Sequence, residues 1–274
     1  MSILTITVLT FREVSRRKIL LSAVVLGVLF LVVYSVGLGF VERDIPDDPL
    51  ISAQIFNFLG LAGLYVVNFL TVMMTVLTSV DTISGEISTG TIQTIITKPI
   101  RRWEIMLGKW VGYALMFSLY ILMMGGGVVL LIWLISDYTI PNYLLGLLMI
   151  WLNGLLMLTI SIAGGAIFST LANGVLVFGL FGVAFVGGWI EQVGSFVENQ
   201  AAVNIGIISS LIMPSEALWR RAAFEMRSVL VDAIGFSPFT SLGSTPSALM
   251  IWYAVGYVVV VLWAGISLFR SRDL

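Results

Sequence analysis

Six apolar stretches, each close to the length that a helix needs to cross a bilayer, dominate this sequence. A bilayer core of about 30 Å takes roughly 20 helical residues, and every backbone N–H and C=O inside it must bond within the protein. The stretches are continuous rather than alternating, which disfavours strands. We therefore predict an all-α membrane protein with one domain over residues 1–274. The six predicted spans, of which the fifth is the shortest, are residues 19–41, 52–80, 105–135, 143–168, 174–190 and 248–269.

The composition excludes several classes of function. Only 11% of the residues are charged, whereas a soluble domain carries about 25%. The absence of His and Cys excludes disulfides, thiolate nucleophiles, imidazole bases and the usual zinc ligands. A net charge of -1 gives no general attraction to nucleic acid. No glycine-rich phosphate loop occurs, so we expect no cofactor on this chain and no ATP hydrolysis by it alone.

The charges divide unequally between the two sides of the predicted membrane domain. With six spans, the side that holds both termini carries ten of the 14 Lys and Arg residues but only five of the 15 acidic residues. Lysine and arginine are retained on the cytoplasmic side of membrane proteins. Both termini are therefore predicted to be cytoplasmic.

The loop over residues 191–247 is long and predicted to be external. Its apolar piece, residues 203–213, is too short to span, and Pro214 then opens a predicted helix that runs through Ile234. Glu216 and Arg220 stand at i,i+4 spacing along that helix. We expect short helices that pack on the outer leaflet or dip into it.

The cytoplasmic loop between the second and third spans has a regular pattern. Gly85 and Gly90 favour tight turns, and Thr91 is a good helix cap. Ile92, Ile95 and Ile96 follow at i, i+3 and i+4, which predicts a short helix with one apolar face. Pro99 ends this helix, and Arg101 and Arg102 come next at the membrane boundary. Two interpretations fit: an ordinary solvated loop, or a helix that docks into a soluble partner.

The order of residues in this loop resembles that of a known family. Glu86, Gly90-Thr91, Pro99-Ile-x-Arg102 and Glu104-Ile-x-Leu-Gly-Lys109 are similar to the loop between helices two and three of ABC exporter permeases, the ABC type 2 membrane proteins. The N-terminal Arg12, Glu13, Arg16 and Arg17 resemble the amphipathic elbow helix of that family. The segment from Pro214 to Arg220 is similar to permeases of multicopper enzyme and nitrous-oxide reductase maturation, although Met213 replaces their Asn.

The resemblance implies a permease subunit of an ATP-driven exporter in the inner (plasma) membrane. It implies a second permease chain, identical or homologous, and two cytoplasmic ATPase subunits that bind ATP and Mg. An external accessory protein is a further partner that it suggests. The short loop helix would be the coupling helix, and the ATPase contacts that the resemblance implies are Gly85, Glu86, Gly90, Thr91, Ile92, Ile95, Ile96, Pro99, Arg101 and Arg102.

Polar residues within the spans allow two roles. Asn57 and Asn68 lie about three turns apart on span two, which tends to line the dimer interface in the family the chain resembles. They either bond neighbouring helices or contact substrate along a translocation pathway. The pairs Gly108/Gly112 and Ala184/Gly188 have small-xxx-small spacing and predict close helix packing.

Two other classes of function remain open on the sequence. One is a membrane subunit that assembles a complex or transmits force without transporting anything. The other is an integral membrane enzyme, whose most plausible external cluster would be Glu191, Glu198, Arg220 and Arg221. A solvated loop is the explanation that base rates favour for these four residues.

Overall fold

The computed structural model describes residues 3–45, 48–90, 101–228 and 245–271. This part of the chain is helical, with no strand among the described residues. The helices are α1 (Ile3–Ser15), α2 (Lys18–Asp44), α3 (Pro49–Ser79), α4 (Ser84–Ser88), α5 (Arg102–Ser136), α6 (Tyr143–Gly165), α7 (Thr170–Phe196), α8 (Gln200–Ile212), α9 (Ser215–Met226) and α10 (Leu249–Ser271).

Six helices are long and apolar enough to cross a membrane, which confirms the predicted fold class. They are α2, α3 with its short extension α4, α5, α6, α7 and α10. The predicted length of the fifth span, residues 174–190, was wrong. We expected this span to be the shortest, but α7 has 27 residues and is longer than α6 and α10, which have 23 each. Glu191 was taken as the start of the loop, but it lies inside α7 with a buried side chain.

The loop after α7 folds into two short helices that meet at a sharp bend. α8 and α9 are inclined by 105° and follow one another with a break at Met213 and Pro214. Gly194 and Gly187 of α7 face Ala202 and Ser209 of α8, so α8 turns back antiparallel along α7. This pair confirms the predicted short helices.

The predicted end of the second short helix was wrong. We expected it to continue through Ile234, but α9 ends at Met226 and Arg227 is extended, with ψ 146°. The backbone carbonyl of Met226 accepts a hydrogen bond from the Asn57 side chain at 3.0 Å. α9 is thus tied at its C-terminus to α3 in the interior of the protein.

The centre of the molecule is built from α3 and α6. In the most apolar segment of each helix, 78% of the residues are buried in α6, compared with 11% in α2 and 17% in α10. α6 packs against α3, α5, α7, α9 and α10. The peripheral helices α2 and α10 therefore present most of their apolar surface to the membrane.

The N-terminal helix α1 lies against the first turns of α5. Cβ atoms added at Gly108 and Gly112 would lie 2.7 Å from Ile6 Cβ and 2.8 Å from Thr10 Cβ. The Thr7 hydroxyl donates a hydrogen bond to the Gly108 carbonyl at 3.2 Å. The predicted close packing at Gly108 and Gly112 is confirmed, and the element that packs there is the elbow helix itself.

We predict that Gly108→Ala and Gly112→Ala will each lower the thermal unfolding temperature in detergent. The added methyl group would force α1 away from α5, and overpacking of this kind costs about 1–3 kcal/mol. Gly126→Ala on the same helix is the matched control, because no atom lies within 4 Å of its added Cβ. Equal melting temperatures for the three variants would contradict this description of the α1–α5 contact.

Candidate functional site

The segment after α3 brings charged side chains from three elements together at the end of the molecule that holds α1. α4 follows α3 after a short turn, and Gly90 beyond it has φ +71°, a left-handed conformation that favours glycine. The predicted coupling helix, with Thr91, Ile92, Ile95, Ile96 and Pro99, lies outside the described residues. Its two flanks, α4 and the start of α5, are described.

An ion pair between Glu86 of α4 and Lys109 of α5 joins these two flanks. The Lys109 ammonium contacts Glu86 Oε1, and the side chains are only 6% and 20% exposed, respectively. A buried ion pair of this kind is costly to break on one side alone, because the remaining charge loses its partner. The pair therefore holds α4 at a defined position relative to α5.

Arg101 and Arg102 occupy the start of α5. The Glu104 carboxylate accepts a hydrogen bond from the Arg101 backbone N–H at 3.0 Å, which caps the helix. The Arg102 guanidinium donates to the carbonyl of Arg270 at 3.2 Å, at the end of α10. Arg102 thus links the loop to the last span, a contact that sequence reasoning had not indicated.

Arg17 connects the elbow helix to the end of α3. Its guanidinium lies 2.8 Å from Glu13 and 2.7 Å from Asp81. It also donates to the carbonyl of Thr78 at 3.4 Å. Arg12 and Arg16, the other basic residues predicted for the elbow, are exposed. Sequence reasoning had missed Asp81, whose only signal was its position directly after the second span.

Asn57 and Asn68, the residues predicted for a translocation pathway, are both buried between helices. Asn57 accepts a hydrogen bond from the Ser228 N–H at 3.1 Å, in addition to its bond to Met226. Asn68 accepts from the Asn153 amide of α6 at 2.9 Å. A substrate that contacted either side chain would have to displace these bonds, and the pathway role stays a prediction.

A second buried ion pair lies at the opposite end, between α7 and α9. Glu191 and Arg220 are 2.7 Å apart, and their side chains are 6% and 2% exposed. Arg220 thus reaches across to α7, and Glu216, one turn earlier on α9, packs against Gly188 of α7. Gly206 of α8 allows that helix to approach α7 closely, since a Cβ atom added at Gly206 would lie 2.2 Å from Glu191 Cβ.

The proposed external cluster of four charged residues is not brought together. Glu191 and Arg220 form the buried pair, while Arg221 pairs with Glu225 along α9 and Glu198 is exposed. A solvated loop therefore does not describe Glu191 and Arg220. Within the described residues, no group of three or more His, Cys, Asp or Glu side chains could hold a metal ion.

Comparison with known proteins places this architecture in a family. The model of the ABC-2 family transporter proteins matches residues 4–274. The chain belongs to the ABC-2 family of transporter proteins. No curated relative matches the chain. An ABC-2 protein is the membrane component of a transporter, is not itself catalytic, and normally works with an ATPase subunit. The match does not extend to the maturation subgroup, which stays a prediction.

We predict that Arg220→Met and Glu191→Gln will each destabilise this ABC-2 protein strongly. Either change leaves one buried charge or polar group without its partner, which costs about 3–5 kcal/mol for a buried pair. The measurement is thermal unfolding in detergent, with the double variant completing a double-mutant cycle. The double variant should be more stable than the sum of the single effects predicts. Additive losses would show that the pair is not coupled.

Proposed function

We propose that this chain is the permease subunit of an ATP-driven exporter and that its loop over residues 81–104 receives the force of a separate ATPase. The family match supports a transporter membrane component and a partner of the ATPase kind. The observation that carries the proposal is the buried Glu86–Lys109 pair, because it couples the flanks of this loop to a spanning helix.

The contacts around the loop offer a route for movement into the spans. A force on the loop would reach α5 through the contact of Glu86 with Lys109. The elbow helix packs on α5 at Gly108 and Gly112 and would move with it. Arg17 links the elbow to Asp81 at the end of α3. The proposed coupling helix, with Ile92, Ile95 and Ile96 on its apolar face, would sit in a cleft of the ATPase. ATP and Mg would bind to that partner and not to this chain.

The proposed complex contains a second permease chain and two ATPase subunits. The second chain is identical or homologous, and we assign its contact to the face of α3 and α7. Phe69 of α3 is 44% exposed there, and its ring centroid lies 6.5 Å from that of Phe181 of α7. In this proposal the chain lies in the inner membrane with both termini facing the cytoplasm. The charge asymmetry of the loops supports this orientation.

A force-transmitting subunit without cargo is the second candidate. Here Asn57 and Asn68, the candidates for a pathway, already bond protein groups. The loop machinery would then drive an external accessory protein, and the ATPase contact would be the same.

The first test is co-purification from native membranes in mild detergent. We expect an ATPase with a phosphate-binding loop to elute with the tagged wild-type chain and to be lost with Ile95→Glu. Thr94→Glu is the matched control, since it adds the same charge outside the predicted apolar face. Absence of any such ATPase from the wild-type complex, or equal recovery with both variants, would contradict the docking proposal.

The second test separates docking from coupling. We expect Lys109→Met to retain the ATPase in the complex but to lower its ATP hydrolysis by about tenfold or more, because Glu86 loses its partner and α4 its fixed position. The exchange of Glu86→Lys with Lys109→Glu should restore part of the activity. Unchanged hydrolysis in Lys109→Met would show that the pair has no part in coupling.

A further inference from the structure

An open groove lies between α2 and α3, at the same end of the spans as the elbow helix. Its volume is about 250 Å³. One wall is a stripe of α2 from Ile19 to Leu26, the other is a stripe of α3 from Leu70 to Leu77, and Tyr120 of α5 contributes to the lining. Each stripe follows i, i+3, i+4, i+7 spacing, so both walls run parallel to the helix axes.

The groove is apolar, and its length along α2 is close to the thickness of the hydrocarbon layer of one leaflet. Its lining is almost wholly apolar, and Ile19, Leu26 and Leu77 remain 45%, 51% and 46% exposed. The distance along α2 from Lys18 to Leu26 is about 12 Å at 1.5 Å per residue. Half of a bilayer core is about 15 Å. An acyl chain that enters at the membrane surface would therefore follow the groove through most of its leaflet.

Two basic residues, Arg16 and Lys18, come just before the first lining residue of the groove in the chain. Lys18 directly precedes the lining residue Ile19, and both Lys18 and Arg16 are exposed. Neither forms an ion pair with another described residue. The nearby acidic residues Glu13 and Asp81 are already paired with Arg17. Among the described residues, neither cation has an ion-pair partner, and both come just before the start of α2 or at it.

We propose that this groove binds an anionic glycerophospholipid of the surrounding leaflet. One acyl chain would lie between α2 and α3, and the phosphate would lie beside Arg16 and Lys18. Lysine and arginine next to a spanning helix attract anionic lipid at the membrane surface, and their long stems reach the headgroup level. The site requires only that α2 and α3 cross the bilayer, so it is independent of the ATPase proposal.

The test is a titration of the purified full chain with phosphatidylglycerol and with phosphatidylcholine, followed by native mass spectrometry. The wild type should bind phosphatidylglycerol more tightly, and added salt should reduce the difference. We expect Arg16→Gln with Lys18→Gln to reduce that preference by about fivefold or more, because each surface cation contributes roughly a fivefold factor. Arg43→Gln, an exposed cation at the other end of α2, is the matched control and should change nothing.

A second pair of variants tests the groove itself. Ala23→Phe should fill the groove and lower the affinity for both lipids. Ser22→Leu is a smaller change on the same stripe of α2 and replaces Ala23→Phe in the test if that variant does not fold. If only the cation variants have an effect, the lipid is held by surface charge alone and the proposed site is wrong. If Ala23→Phe or Ser22→Leu changes the oligomeric state without changing lipid affinity, a second copy covers the groove, which also overturns the proposal.

Discussion

Lipid offers no hydrogen bonds, so each polar group that enters the bilayer must find its partner inside the protein. The helices satisfy the backbone, and several polar side chains bond groups of neighbouring helices. Asn153 donates to Asn68 at 2.9 Å, and Ser79 donates to Ser161 at 2.8 Å. The Asn173 amide reaches the carbonyls of Val80 and Ser161 at 3.1 and 2.8 Å. These bonds place α3, α6 and α7 against one another.

The charged contacts add a second level of organisation at the two ends. At one end, Arg17 and the Glu86–Lys109 pair connect the elbow, α3, α4 and α5. At the other end, Glu191 and Arg220 join α7 to α9. The core between them is apolar and closely packed, which transmits displacement rather than absorbing it. The proposed coupling to a separate ATPase requires such fixed points.

Much of this arrangement could be predicted, because the bilayer imposes length and composition directly. The six spans and the close packing at Gly108 and Gly112 followed from local pattern, and the elbow helix followed from the resemblance to the family. One error concerns a charged residue that was assigned to solvent. Glu191 was taken as a loop residue, but it lies inside α7 and pairs with Arg220. A buried ion pair between distant residues leaves no local signal in the sequence.

The sequence alone determined that the chain is a bundle of membrane helices, since apolar runs of this length have no other stable arrangement in lipid. It also marked the loop from Glu86 to Lys109, through the order of its residues. Only the tertiary structure decided that these two residues bond each other, that the elbow packs on α5, that α8 turns back along α7, and that α9 packs on α6. Those contacts join residues far apart in the chain, and their geometry depends on how whole helices pack.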